Sequence, residues 1–172
     1  MSLQGTPQAG SFVNVQDKIT GGTTTAGNVV ETIQVGNQAT GITYTVGTGS
    51  PQAANLVYSG TYTLTGGGGT TLDLTNLTGG TGTKTFAKVR MIRVQNQAAA
   101  DSGFTVAIGP GASNGFSPFL TGTTPTLVLP ANSSHMLECL NTAGWTVNGS
   151  NKTILLNPGA NTQTVLVAIL GE

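Results

Sequence analysis

Catalysis needs titratable or nucleophilic side chains gathered in one place, and this chain offers few to gather. Its single cysteine, Cys139, lies four residues after its single histidine, His135. On one strand two positions of equal parity turn the same way, which would bring a thiol and an imidazole to one face. Between Leu137 and Leu140, however, Cys139 reads as a small buried hydrophobe, and His135 as a turn residue. The six acids, Asp17, Glu31, Asp73, Asp101, Glu138 and Glu172, are scattered, with no local pair suited to acid–base work. One histidine and one cysteine make no zinc site without distant carboxylates. The stretch Gly79-Gly80-Thr81-Gly82-Thr83-Lys84-Thr85 has the composition of a phosphate-binding loop but not its spacing, because Thr83 stands directly before the lysine. No helical pattern follows to supply an N-terminus, so it reads as a turn. The expectation is a protein with no cofactor, no metal and no enzymatic activity.

The basic residues are less evenly spread. Lys84, Lys88, Arg90 and Arg93 fall within ten positions and account for four of the six positive charges. In an unbroken strand Lys84, Lys88 and Arg90 share a face, which is either a solvated surface or a contact for an acidic protein surface. Nucleic acid is the poorer partner, because the formal net charge is +0 and backbone binding requires surplus cations. The glycosylation triplets at Asn76, Asn132, Asn148 and Asn151 arise by chance in a chain this rich in Asn and Thr.

The elements that must position these groups are strands. Only 7% of the residues are charged, against roughly 25% in an average soluble domain. Glycine (26 residues), Asn and Thr take their place. Such a surface lacks the charge that keeps strand edges apart, and it reads as built to sit against something. Ile42, Tyr44 and Val46 alternate with Thr43 and Thr45, and Tyr62 and Leu64 alternate with Thr61, Thr63 and Thr65. Leu72 and Leu74 flank Asp73, Phe104, Val106 and Ile108 enclose Thr105 and Ala107, and Trp145 and Val147 flank Thr146. This period of two predicts half-buried strands with an apolar face and a threonine face. Gly66-Gly67-Gly68-Gly69 predicts a hairpin turn, and Gly79–Gly82, Asn148-Gly149 and Pro158-Gly159 predict further turns. No segment carries helical spacing, so the fold class expected is all-β, a sandwich or barrel. No run reaches the ~18 apolar residues of a membrane span, and the N-terminal residues lack the pattern of a signal peptide.

Two strands are apolar on both faces. Val165, Val167 and Ile169 occupy one parity and Leu166, Ala168 and Leu170 the other. Around residues 86–95, Val89 and Met91 take one parity, Ile92 and Val94 the other. A sheet of a two-layer sandwich buries one face. For 165–170 the expected cover is a subunit or an N-terminal arm; for 86–94 a β-bulge that switches parity is at least as good an account. Residues 109–124 form a long loop with Phe116, Phe119 and Leu120, which either caps the core or docks on a partner. Residues 1–27 read as an extended arm whose apolar residues Phe12, Val13 and Val15 dock on a neighbouring subunit, with the sandwich domain over 28–172.

The run Thr61-Tyr-Thr-Leu-Thr, Thr71-Leu-Asp-Leu-Thr75, Thr85-Phe-Ala-Lys-Val-Arg-Met-Ile-Arg-Val-Gln-Asn96, Phe104-Thr-Val-Ala-Ile-Gly109, Leu127-Val-Leu-Pro130, Gly144-Trp-Thr-Val147 and Val165-Leu-Val-Ala-Ile-Leu-Gly171 resembles the jelly-roll decoration (cement) proteins of tailed-phage capsids. The resemblance covers residues 59–170 and leaves 1–54 outside it. It implies a jelly-roll-like antiparallel β-sandwich that binds the outer surface of an icosahedral virion shell and stabilises capsomer contacts. The partners implied are the major capsid protein and further copies of itself, a trimer before a dimer, with no nucleic acid and no membrane. The interface residues expected are Phe12, Val13 and Val15 in the arm, Leu166 and Leu170 on the sheet face, and Lys88 and Arg90 against acidic capsid surface. The alternatives are a carbohydrate- or receptor-binding β-module of a tail fibre, in which exposed Trp and Tyr stack on sugars, and a jelly-roll shell protein.

Overall fold

β-branched residues on alternate positions favour extended backbone, and the strands form where the alternation is strongest. The computed structural model describes residues 12–16, 30–34, 42–43, 45–48, 53–79, 82–122 and 125–172. Ahead of the sandwich lie β1 (Phe12–Gln16), β2 (Val30–Gln34), β3 (Ile42–Thr43), β4 (Thr45–Val46) and β5 (Ala53–Ala54). The sandwich and its connections comprise β6 (Leu56–Leu64), β7 (Thr70–Asp73), β8 (Leu77–Gly79), β9 (Gly82–Lys84), β10 (Lys88–Asn96) and β11 (Val106–Pro110). They continue with β12 (Leu127–Leu129), β13 (Ser133–Glu138), β14 (Trp145–Thr146), β15 (Thr153–Asn157) and β16 (Gln163–Gly171). No helix occurs among the described residues.

Two antiparallel sheets form the sandwich, ordered β13-β10-β16-β6 and β12-β11-β15-β7, with β14 pairing on β10. Their pairing is nested. β6 pairs with β16, β7 with β15, β10 with β13 and β11 with β12, while β10–β16 and β11–β15 complete the sheets. First strand with last, second with second-last, and so inward to a central hairpin is the wrapping of a jelly roll. It also corrects one expectation. The glycines at 66–69 do not close a hairpin, because β6 and β7 lie in different sheets. A strand whose partner is the last in the chain must hand the backbone across to the opposite sheet. The Gly79–Gly82 turn does close a hairpin, β8 with β9.

The core fills the space between the sheets. Tyr58 and Leu64 of β6, Val89, Ile92 and Val94 of β10, and Val165, Val167 and Ile169 of β16 meet Leu72, Val106, Ile108, Leu129, Ile154 and Leu156 from the facing sheet. Gly60 makes one of these contacts possible by close approach. A Cβ there would lie 2.3 Å from the Tyr58 hydroxyl, so the Tyr58 ring lies over the bare glycine and its hydroxyl meets that of Tyr62.

Of the expected arm, only 12–16 falls within the described residues. These form β1, paired antiparallel with β2, which pairs in turn with β3. The boundary drawn between residues 27 and 28 therefore separates two strands of one sheet, and β2 and β3 belong to neither sandwich sheet. The positions of Phe12, Val13 and Val15 are opposite Gln34, Ile33 and Glu31.

Candidate docking surfaces

The parity conflict in β10 resolves as a bulge. Val89 pairs with Gly171 and Met91 with Leu170, so Arg90 is an extra residue opposite β16. The bulge lets Val89 and Ile92 both face the core, and it turns Met91 to the outer side of the sheet. Arg90 is 0% exposed. Its Nε donates to Glu172 Oε1 at 3.2 Å, and one terminal nitrogen donates to the same oxygen and, at 3.1 Å, to Thr142 O. The other terminal nitrogen donates to Asn141 O. Gly144 closes the site from above: with φ of +65° it holds a left-handed turn, and a Cβ there would stand 3.2 Å from the guanidinium.

Arg90 is thus corrected as a capsid-contact residue, because its guanidinium is enclosed within the chain. The basic cluster expected on one unbroken strand is split, because Lys84 lies in β9 opposite Leu77 and not in β10. Lys88 Nζ meets Glu172 Oε2 at 3.2 Å and remains half-exposed, so two of the four cations converge on one carboxylate. The backbone reinforces the arrangement, with the Glu172 N–H donating to Lys88 O at 2.9 Å and the Lys88 N–H to Glu172 O at 3.0 Å.

Leu170 is corrected too. It is buried on the outer side of the sheet against Met91 and Ala54, with Val57 and Met136 packed alongside. The cover comes from the chain's own β5 and from neighbouring strands, so no second subunit is needed there. Leu166, four residues earlier, remains partly exposed. By alternation it shares the outer face with Ala168 and, across the sheet, with Thr61, Gln95 and Ser134. Arg93 and Met136 lie in the next row. Sequence reasoning did not single out Met136 or Ala54, and only the pairing of β10 with β13 and the run of β5 reveal them.

The long loop caps the core. Phe116 is buried, its ring centroid 5.9 Å from that of Phe119, which lies 5.3 Å from Trp145. Phe119 and Trp145 pack against the core from one end of the sandwich. His135 and Cys139 do not meet: His135 is exposed opposite Val94, whereas Cys139 is buried beyond the strand's end, its N–H on Arg90 O at 2.8 Å. Four residues of extended chain separate them by about 13 Å. Among the described residues no group of three or more His, Cys, Asp and Glu side chains could hold a metal ion. The large hydrophobics most open to water are Val128 and Leu140.

On the opposite sheet Asp73 anchors a turn. Lys152 Nζ donates to Asp73 Oδ2 at 2.6 Å, and the Thr75 N–H donates to Oδ1 at 2.9 Å. Burial alone would push this carboxyl up, but the hydrogen bonds from Lys152 and Thr75 outweigh it and hold Asp73 below the usual aspartate value. A carboxylate depressed in the folded state lends stability above its unfolded pKa and loses it as pH falls through the folded one. Asp73→Asn should therefore flatten the acid limb of the stability curve. The effect is at most about 1 kcal/mol, because the pair is partly solvated. Urea midpoints of both proteins from neutral pH down to about pH 2 measure it; parallel limbs would contradict it.

No family model and no curated protein matches the sequence. Among solved structures, the chain is similar to one from work described as "Bacillus endospore appendages form a novel family of disulfide-linked pili", with 12% identity and a TM-score of 0.36, covering 67% of this chain and 85% of that one. A likeness at this level carries no argument about this chain.

Proposed function

We propose that the chain is a non-enzymatic structural protein of a virion, a decoration protein that sits on the outer capsid surface and braces the contacts between capsomers. The observation that supports this most is the outer face of the β13-β10-β16-β6 sheet. Around the partly exposed Leu166 it presents Gln95, Thr61 and Ser134, with Arg93 as the cation of the neighbouring row. Neutral hydrogen-bonding groups interspersed with modest apolar area suit a broad protein contact, whose affinity comes from distributed burial. The partner proposed is the major capsid protein, engaged by several copies of this chain at once, so that weak individual contacts add through avidity.

The reading predicts a salt response. Screening acts on charges, and this face carries few. Binding to undecorated shells of the virus that encodes the chain, followed by mass photometry, is expected to change less than about threefold between low and moderate salt. Loss of binding over that range would assign the contact to Lys84, Lys88 and Arg93 instead.

A further inference from the structure

Each sheet of the sandwich ends in two edge strands, and three of these four edges are guarded. β12 has 3 residues and lies between Pro125 and Pro130. β7 has 4 residues and ends on Asp73 beside Lys152. β13 has 6 residues and carries His135 and Glu138. Short strands, prolines and charges are the usual means of keeping an edge from pairing with another chain. β6 has none of them: it is 9 residues long and contains no charge and no proline.

The direction of its backbone groups follows from the neighbouring strand. Thr164 O accepts from the Gln97 N–H and the Glu172 N–H donates to Lys88 O, so even positions of β16 turn towards β10. Odd positions turn towards β6, where their partners are Leu56, Tyr58, Gly60, Tyr62 and Leu64. The N–H and C=O groups of Val57, Ser59, Thr61 and Thr63 consequently point along the open edge. No strand among the described residues pairs with them there, and the β8–β9 hairpin approaches without hydrogen-bonding to β6. Just before β6, β5 pairs in parallel with β4 in a separate two-stranded sheet, with the Gly47 N–H donating to Ala54 O at 3.2 Å.

The sequence of β6 supplies the occupant. Leu56-Val-Tyr-Ser-Gly60-Thr-Tyr-Thr-Leu64 reads nearly the same in both directions about Gly60. We propose that this edge is a homodimer interface, in which two copies of the chain pair β6 antiparallel about a two-fold axis through Gly60. Ser59 then opposes Thr61 of the second copy, Val57 opposes Thr63, Tyr58 opposes Tyr62 and Leu56 opposes Leu64. The edge-facing groups fall into hydrogen-bonded pairs, and the two glycines meet at the closely spaced, non-hydrogen-bonded position on the axis. With no charge in β6, self-pairing brings no like charges together. The second strand ends opposite Leu56, leaving Ala54 to β4. Such an isologous contact is self-limiting at two copies. It fuses two sheets into one and doubles the neutral outer face.

The test uses the full chain at micromolar concentration in sedimentation velocity. The expected species is a dimer. Thr61→Pro removes an edge-facing N–H while leaving the β16 ladder intact, and should weaken the dimer about 100-fold at nearly unchanged melting temperature. Ser59→Lys should act in the same direction by placing charge on the edge. Register is read by mild oxidation. A mixture of Ser59→Cys and Thr61→Cys proteins should cross-link faster than either alone, because only the mixed pair sits within disulfide reach. A monomeric wild type, an oligomer indifferent to Thr61→Pro and Ser59→Lys, or equal cross-linking in all three samples would overturn the inference. The outcome is separable from shell binding: a monomer that decorates shells sinks the dimer alone, and a dimer without affinity for shells sinks the proposed function alone.

Discussion

Arg90→Ala is expected to destabilise the sandwich by about 3–5 kcal/mol, because it removes the guanidinium from a carboxylate that the fold has already taken out of water. The Glu172 side chain is 7% exposed and meets Arg90 through two donors. The same substitution empties the space below the Asn141–Gly144 turn and withdraws donors from the Asn141 and Thr142 carbonyls. At roughly 2–4 °C per kcal/mol for a domain of this size, the melting temperature should fall by some 6–20 °C. Arg90→Lys should recover little, since an ammonium cannot reproduce the planar fork that serves a carboxylate and two carbonyls together. Thermal unfolding of the two variants decides the matter. A variant that keeps its melting temperature and loses only partner binding would restore Arg90 to the surface role its sequence position suggested.

Phe116→Ala carries a cost of similar size, about 3–5 kcal/mol, from lost burial and the cavity left behind. Phe116 is fully enclosed and stands at the inner end of the stack that continues through Phe119 to Trp145. Its N–H also donates to Thr153 O at 2.7 Å, which ties the loop to the start of β15. Phe119→Ala should cost less, because that ring is only half-buried. Urea denaturation of both variants tests the order. Equal stability of Phe116→Ala and wild type would mean that the loop's aromatics serve a partner and not the core.

The all-β class and most strands were legible in the alternation of Thr with apolar residues, because a half-buried strand has no other economical pattern. Tyr62 and Leu64 fall in β6, Val106 and Ile108 in β11, Val165 to Ile169 in β16. The two-sided pattern around residue 90 also signalled a bulge. What the bulge does was hidden, because strand parity sets Met91 beside Val89 in the core, whereas the inserted residue turns Met91 to the outer side and leaves Arg90 and Lys88 on one carboxylate. The partner Glu172 lies 82 residues away in sequence, beyond the reach of any local pattern. The sequence makes a subunit or the N-terminal arm the cover of Leu170 because β5, only Ala53–Ala54, is too short to announce itself. Which glycine turn closes a hairpin was equally hidden: Gly66–Gly69 and Gly79–Gly82 look alike, and the nested pairing of the jelly roll alone distinguishes them.

The central claim is that the neutral outer face around Leu166 docks on a capsid shell. The most direct measurement compares shell occupancy of Leu166→Lys with that of Val128→Lys, which places the same charge on the outer side of the other sheet, where Val128 is 51% exposed. Val128 is open to water and Leu166 partly so, and melting temperatures near that of the wild type are the control that both variants fold. The account predicts that Leu166→Lys abolishes the saturable mass increase of undecorated shells while Val128→Lys leaves it intact. Full occupancy by Leu166→Lys, or no uptake of the wild-type chain by shells at any salt concentration, would contradict it.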